Sequence, residues 1–238
     1  MPQIDPAPEL NPAHDREQLA QTFQRAGRIH IANLFTDASA ARLLRALQQE
    51  TPWTVTLNNG SDIQDFVSTP QERERISFAA WGRARLGFQF LYDHHLLSHK
   101  GEPYRDPDHY LSTLVGFLNS PAFFTFMREV TGLDAIAWMN AQATLYRPGD
   151  FLTTHDDRHG EHNRLVAYVL NMTPIWQPDW GGVLQFFDAP DHVEEGYLPT
   201  FNALNLFRVP KVHSVSQVAM FGGLRYSVAG WYHAPDAT

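Results

Sequence analysis

At 238 residues, 43% of them hydrophobic and 13% aromatic, the chain has enough apolar material for a real core. Its formal net charge is −8, from 18 Lys and Arg against 26 Asp and Glu, with no basic cluster to grip nucleic acid or a membrane surface. The absence of cysteine excludes disulfides, zinc–thiolate clusters and cysteine nucleophiles.

Residues 1–12 are Pro-rich and read as a loose tail. Leu19, Phe23 and Ala26 then fall at helical spacing, and "RIHIANLF" alternates as a strand. Thr36 or Asp37 caps a helix through "ASAARLLRALQQE", which stops before Pro52. "WTVTLNNGSD" is a strand running into residues 58–62, which read as a plain turn, with a lid over a site as the lesser alternative. The stretch 70–131 reads as mainly helical. "TPQERERISFAAWGRARLGFQFLYDHHLL" is long for one helix and is open to interruption at Gly82 and Gly87, with His94, His95 and His99 as exposed imidazoles at a helix end. Asp106 before Pro107 and Ser120 before Pro121 open two further helices, the second closing at Gly132. Phe117, Phe123, Phe124 and Phe126 give these helices aromatic faces suited to packing on a sheet.

After Gly132 the texture changes to short β-type runs: "AIAWMNAQATLYRPGD", "RLVAYVLNMT", "WGGVLQFFD", "ALNLFRVP", "HSVSQVAMF" and "RYSVAGWYH". No helical pattern separates them, so an antiparallel sandwich or barrel is expected. The fold class is α+β: a double-stranded β-helix (a cupin-like jelly roll) over 133–238, supported by a mainly helical layer over 13–132, as one domain from 1 to 238. No run of roughly 18 apolar residues suggests a transmembrane helix. The N-terminus lacks the basic-then-apolar pattern of a signal peptide. A soluble, cytoplasmic enzyme or binding domain is expected.

The chemistry concentrates in "YRPGDFLTTHDDRHGEHNRLVAYVLNMT". On a strand, His155 and Asp157 stand at i and i+2 and share a face, so both can reach one metal ion. His213 in "VPKVHSVS" is the candidate third ligand. Two histidines and one carboxylate leave coordination positions open, the arrangement of non-haem Fe(II) oxygenases. In "RYS", Arg225 and Ser227 again share a strand face, and a buried guanidinium with a hydroxyl is a fitting receptor for a carboxylate. Asp156 faces away from that site. His159 and His162 belong to a solvated loop, and Gly181 and Gly182 permit a bend or close approach. Trp176 and Trp180 either line a substrate mouth or pack.

Taken in order, "LYRPGDFLTTHDD", "RLVAYVLNMTPIW", "WGGVLQFFD", "FNALNLFRVPKVHSVSQV" and "RYSVAGW" resemble the Fe(II)/2-oxoglutarate-dependent dioxygenases, nearest their prolyl-hydroxylase-like branch. The "HDD", the Arg-led strand and the "WGG" strand are especially like the branch that hydroxylates a proline of a ribosomal protein. The resemblance implies that His155, Asp157 and His213 ligate Fe(II), that Arg225 and Ser227 hold the far carboxylate of 2-oxoglutarate, and that Tyr146 lies beside the co-substrate. Its second co-substrate tyrosine falls near Tyr168, where the register is displaced. The implied activity is hydroxylation of a C–H bond in a prolyl residue or a related amino-acid, peptide or protein substrate. It consumes O₂ and releases succinate and CO₂, with ascorbate in support. A cupin-type protein that binds metal and small ligand without turnover, or a metal-dependent hydrolase, are the other readings; Arg225 argues against the first, and no separate general base stands out for the second.

Overall fold

The computed structural model describes residues 6–60, 62–99, 108–158 and 163–235. Eight strands form the jelly roll: β6 (Ala141–Tyr146), β7 (Phe151–His155), β8 (Arg164–Asn171), β9 (Leu184–Ala189), β10 (His192–Tyr197), β11 (Ala203–Arg208), β12 (His213–Val215) and β13 (Arg225–His233). They pair antiparallel in two groups, β11-β8-β13-β6 and β7-β12-β9-β10. Period-two alternation assigns each side chain to a face. Along β13, Arg225, Ser227, Ala229 and Trp231 line the barrel cavity, while Tyr226, Val228 and Tyr232 enter the core on the opposite side.

Five further strands come from outside this set. β1 (Arg28–Ile31) extends the first group beyond β11, and β5 (Trp138–Met139) pairs with the end of β13. β2 (Thr54–Asn58) and β3 (Ile63–Val67) make a hairpin whose inner strand pairs with β4 (Phe90–Ser98). β4 pairs with β7 through Phe90 and Leu91 and with β6 from Asp93 onward, so it passes from one group into the other.

The helices α1 (Arg16–Ala26), α2 (Asp37–Arg45), α4 (Tyr110–Leu118) and α5 (Pro121–Thr131) cover the outer face of the β8–β13 layer. Phe23, Leu43, Leu114, Phe123 and Phe126 share one buried cluster with Tyr168, Leu170, Leu206 and Val228. Local chemistry sets the ends of these helices. Asp15 and Ser120 accept hydrogen bonds from the first turns of α1 and α5, and Gly27 and Gly132 end the same helices in left-handed conformation. Helix α3 (Pro70–Arg83) packs separately, with Ile76 and Ala80 against Val55, Leu57, Leu91 and Phe151.

Three sequence expectations need correction. The segment after α3 is not helical: Gly82 lies inside α3, and residues 90–98 are the strand β4. Phe90 and Tyr92 face the barrel while Leu91 enters the α3 cluster, a two-sided apolar demand that a strand meets. The span 13–132 therefore contributes four strands as well as helices. The tail is not loose from Pro6 onward: Asn11 N–H donates to Leu34 O at 2.9 Å and Thr36 N–H to Glu9 O at 2.9 Å, and Leu10 bridges Phe35. Asp106, His159 and His162 lie outside the described residues. Trp176 and Trp180 pack edge-on at 5.4 Å, with Trp176 Nε1 donating to Gly181 O and Trp180 lying against Gly222 and Gly223.

Candidate metal centre

β7 ends at His155, and His213 opens β12 directly opposite it in the ladder. Asp157 is not on the strand. It follows in left-handed conformation, φ 62°, and this turn brings its carboxylate back against both rings. His155 Nε2 lies 3.1 Å from Asp157 Oδ1 and His213 Nε2 3.5 Å from Oδ2. The three donor atoms lie within 4.8 Å of one another. Each imidazole is held from behind: His155 Nδ1 is 2.9 Å from Thr153 O and His213 Nδ1 is 2.8 Å from Lys211 O. A carbonyl accepts from Nδ1–H, which leaves the Nε2 lone pair pointing at the centre.

The protonation states agree with that arrangement. Burial pushes His213 down to about 4, although Asp157 pulls the other way. Burial would raise Asp157, but the hydrogen bond from His155 and the two neighbouring rings outweigh it and hold the carboxyl below its usual range. A neutral His213 and an ionised Asp157 are what a divalent cation needs.

Deeper in the same cavity of about 600 Å³ stands Arg225, which is 2% exposed and opposite Tyr146 across the β13–β6 ladder. Its guanidinium carbon is 4.8 Å from the Tyr146 ring centre, and its Nε has no hydrogen-bond partner. Arg225 forms no ion pair among the described residues. A buried cation without a counter-ion is costly, so the site calls for an anion. Ser227 lies one step further along β13, and its hydroxyl is 2.7 Å from that of Thr144 on β6. Gly182, at φ 62°, lies against this end of the cavity. A Cβ there would sit 2.9 Å from the Trp176 ring and 3.3 Å from Arg225 Cδ.

Sequence reasoning missed several cavity residues. Tyr92 stacks on Tyr146 with ring centres 5.0 Å apart, and burial raises it to about 12. It was hidden in a segment read as helical. Tyr168 instead donates its hydroxyl to Asn140 O at 3.0 Å. Arg164 lies over Trp231, 3.7 Å from the ring centre, and donates to Asp157 O at 3.2 Å. The signal for Trp231 was present, since it shares the face of Arg225 and Ser227 on one alternating strand.

Residues 141–233 match the model of the 2OG-Fe(II) oxygenase superfamily. The match covers the jelly-roll half of the chain, where the His–Asp–His cluster and Arg225 lie. The chain is 30% identical over 123 residues to mouse prolyl 3-hydroxylase OGFOD1, covering 49% of this chain and 22% of that protein. The chain thus spans about a fifth of the length of the curated relatives it matches. Two solved structures share the fold. A 2OG-Fe(II) oxygenase family oxidoreductase from Burkholderia pseudomallei matches with TM-score 0.66 and 15% identity, over 97% of this chain and 95% of that one. A Trichoplax adhaerens prolyl hydroxylase in complex with a hypoxia inducible factor peptide fragment matches with TM-score 0.62 and 16% identity, over 92% and 90%. The cofactors of this superfamily are Fe(II) and 2-oxoglutarate, with O₂. The residues fit them: a nitrogen–oxygen donor set for a metal with positions to spare, and a buried guanidinium whose Nε has no hydrogen-bond partner among the described residues.

Proposed function

We propose that the chain is a hydroxylase in which His155, Asp157 and His213 hold Fe(II) and in which Arg225, Ser227 and Tyr146 hold 2-oxoglutarate. The observation that carries this reading is the buried Arg225, which has no ion-pair partner among the described residues, in the same cavity as the His–Asp–His cluster. Bound Fe(II) supplies the oxidation: O₂ delivers one oxygen atom to a substrate C–H bond and the other to 2-oxoglutarate, which leaves as succinate and CO₂. The protein's own residues bind and orient. Thr153 and Lys211 carbonyls fix the two imidazoles, the Tyr146 and Tyr92 rings wall the co-substrate, and Arg225 sets its direction by pairing with the far carboxylate. A cupin-type binder without turnover is not favoured, since it has no use for that guanidinium.

The substrate in this reading is a prolyl residue, or a related amino acid, in a peptide or protein. Support comes from the mouse relative, named a prolyl 3-hydroxylase, and from the peptide held by the Trichoplax enzyme. Among the described residues no helix is long and apolar enough to cross a membrane. We place the enzyme in the cytoplasm because a chain without cysteine suits a reducing compartment. The whole of 1–238 acts as one domain in this reading, because helices and strands share their buried clusters. With Fe(II) and ascorbate the protein is expected to turn 2-oxoglutarate into succinate and to add about 16 Da to a proline-containing peptide or ribosomal protein. His155→Ala is expected to abolish both; undiminished turnover in that variant overturns the ligand assignment.

A further inference from the structure

The wall of the same cavity carries a side-chain bridge that the reaction does not require. His94 projects from β4, with its side chain 14% exposed, into the cavity. Its Nε2 is 3.1 Å from Asp65 Oδ1 on β3, and its Nδ1 is 3.3 Å from Gln142 Oε1 on β6. The bridge therefore crosses β2 and ties three strands together. Among the described residues β3 pairs with β2 alone, and its residues are mostly exposed, with Ile63 at the cavity rim. Beneath the bridge, on β2, the buried Thr56 hydroxyl faces the cavity without a hydrogen-bond partner.

Both ring nitrogens face oxygen acceptors, and only the doubly protonated imidazolium donates to both. In the neutral ring one nitrogen is a bare lone pair. If Nε2–H keeps Asp65, Nδ1 then repels Gln142 Oε1, and the amide relaxes by turning its NH₂ toward His94. Gln142 also bonds the Tyr92 hydroxyl, so the turn exchanges donor for acceptor on the cavity side of the wall. Asp65 is the charged partner of the ring; β6 presents the neutral Gln142, β2 presents Thr54 across the ladder, and His99 and Asp157 share the cavity.

We propose that His94 is a positioning residue, which clasps the outer strand of the hairpin to the cavity wall and fixes the direction of the Gln142 amide. A peptide lying beside Thr56 and Gln142 is then held more tightly while the clasp is closed. The substrate half of this inference rests on the proposed hydroxylation of a peptide; the clasp does not.

Amide hydrogen exchange in β3, followed on the metal-free protein and corrected for intrinsic rates, tests the clasp directly. In His94→Gln and in Asp65→Asn, opening is expected to exceed the wild-type value about two- to fivefold, the range of a partly exposed ion pair. Asp65 is half exposed, so its variant keeps the fold if His94→Gln does not. Equal protection in wild type and Asp65→Asn overturns the proposal. With a hydroxylated peptide in hand, His94→Gln is expected to raise its KM about two- to fivefold, with kcat unchanged. A change in kcat alone counts against the positioning role. If no peptide is turned over, hydroxylation fails while the exchange result still decides the clasp.

Discussion

At Gly182 a single methyl group is expected to separate metal binding from co-substrate binding at the proposed site. The residue sits at φ 62°, where a side chain is strained, and a Cβ would press on the Trp176 ring and on Arg225 Cδ. Neither contact touches His155, Asp157 or His213. Gly182→Ala is therefore expected to weaken 2-oxoglutarate binding about tenfold, equivalent to about 1.4 kcal/mol, with metal affinity unchanged; calorimetric titration of the Mn(II)-loaded protein checks both. The Arg225 fork gives the complementary test. Lysine keeps the charge but not the two parallel donors. Arg225→Lys is expected to cost about 1.5–3 kcal/mol in 2-oxoglutarate binding and nothing in the binding of 2-oxobutyrate, which has no second carboxylate. Equal losses for the two acids would show that Arg225 does not read the far end.

At the level of elements, legibility followed local patterning. The strands from β6 onward are short β-type runs bounded by Pro, Gly, Asp and Asn, and α5 announces both its ends at Ser120 and Gly132. β4 was hidden because both its faces are buried: "FLYDHHLL" has no clean alternation, and only its partners β2, β6 and β7 decide it. The i and i+2 spacing drew attention to His155 and Asp157, yet what joins them is a left-handed turn that sequence does not reveal. Equally invisible was the charge cluster that attaches α3. Arg73 pairs with Asp93 of β4 and, at 2.6 Å, with Asp150 of the β6–β7 turn, while Arg147 reaches Asp93 at 2.6 Å. Removing Arg73 leaves the buried Asp150 without its cation, while Asp93 keeps Arg147, so Arg73→Ala is expected to lose about 3–5 kcal/mol in urea denaturation. Burial pushes Asp150 up to about 7 despite Arg73. The folded protein then keeps a proton that the unfolded chain releases above its ordinary carboxyl range. The stability this contributes is full at low pH and is lost as pH rises through about 7. Asp150→Asn cannot ionise, so its stability relative to wild type is expected to improve from about pH 5 to about pH 8. A difference that stays flat, or falls, refutes the raised carboxyl.

For the molecule as a whole, the question is what keeps a single continuous sheet rolled up when its two ends do not pair. The path of strands begins at β1 and ends at β10, and no backbone ladder joins them. Side chains do. Arg28 of β1 is buried and pairs with both Glu194, at 2.9 Å, and Glu195 of β10; Lys211 adds a contact to Glu194 at 2.6 Å. His30 and Tyr197 pack beside them at a tilt, with ring centres 5.6 Å apart. The burial is lopsided, with the guanidinium inside and both carboxylates partly in water. Losing one glutamate leaves Arg28 a second partner, so Glu194→Gln and Glu195→Gln are each expected to cost under about 1 kcal/mol. Losing both leaves a buried cation with no counter-ion, the situation that Arg225 tolerates only at the candidate co-substrate site. The double variant is expected to exceed the sum of the singles by about 1–2 kcal/mol. Urea midpoints for the four proteins measure that excess. Strict additivity would mean that the two edges are held by the apolar contacts around Phe186 and Tyr197 alone, and that the first strand is an attachment to the barrel, with no part in closing it.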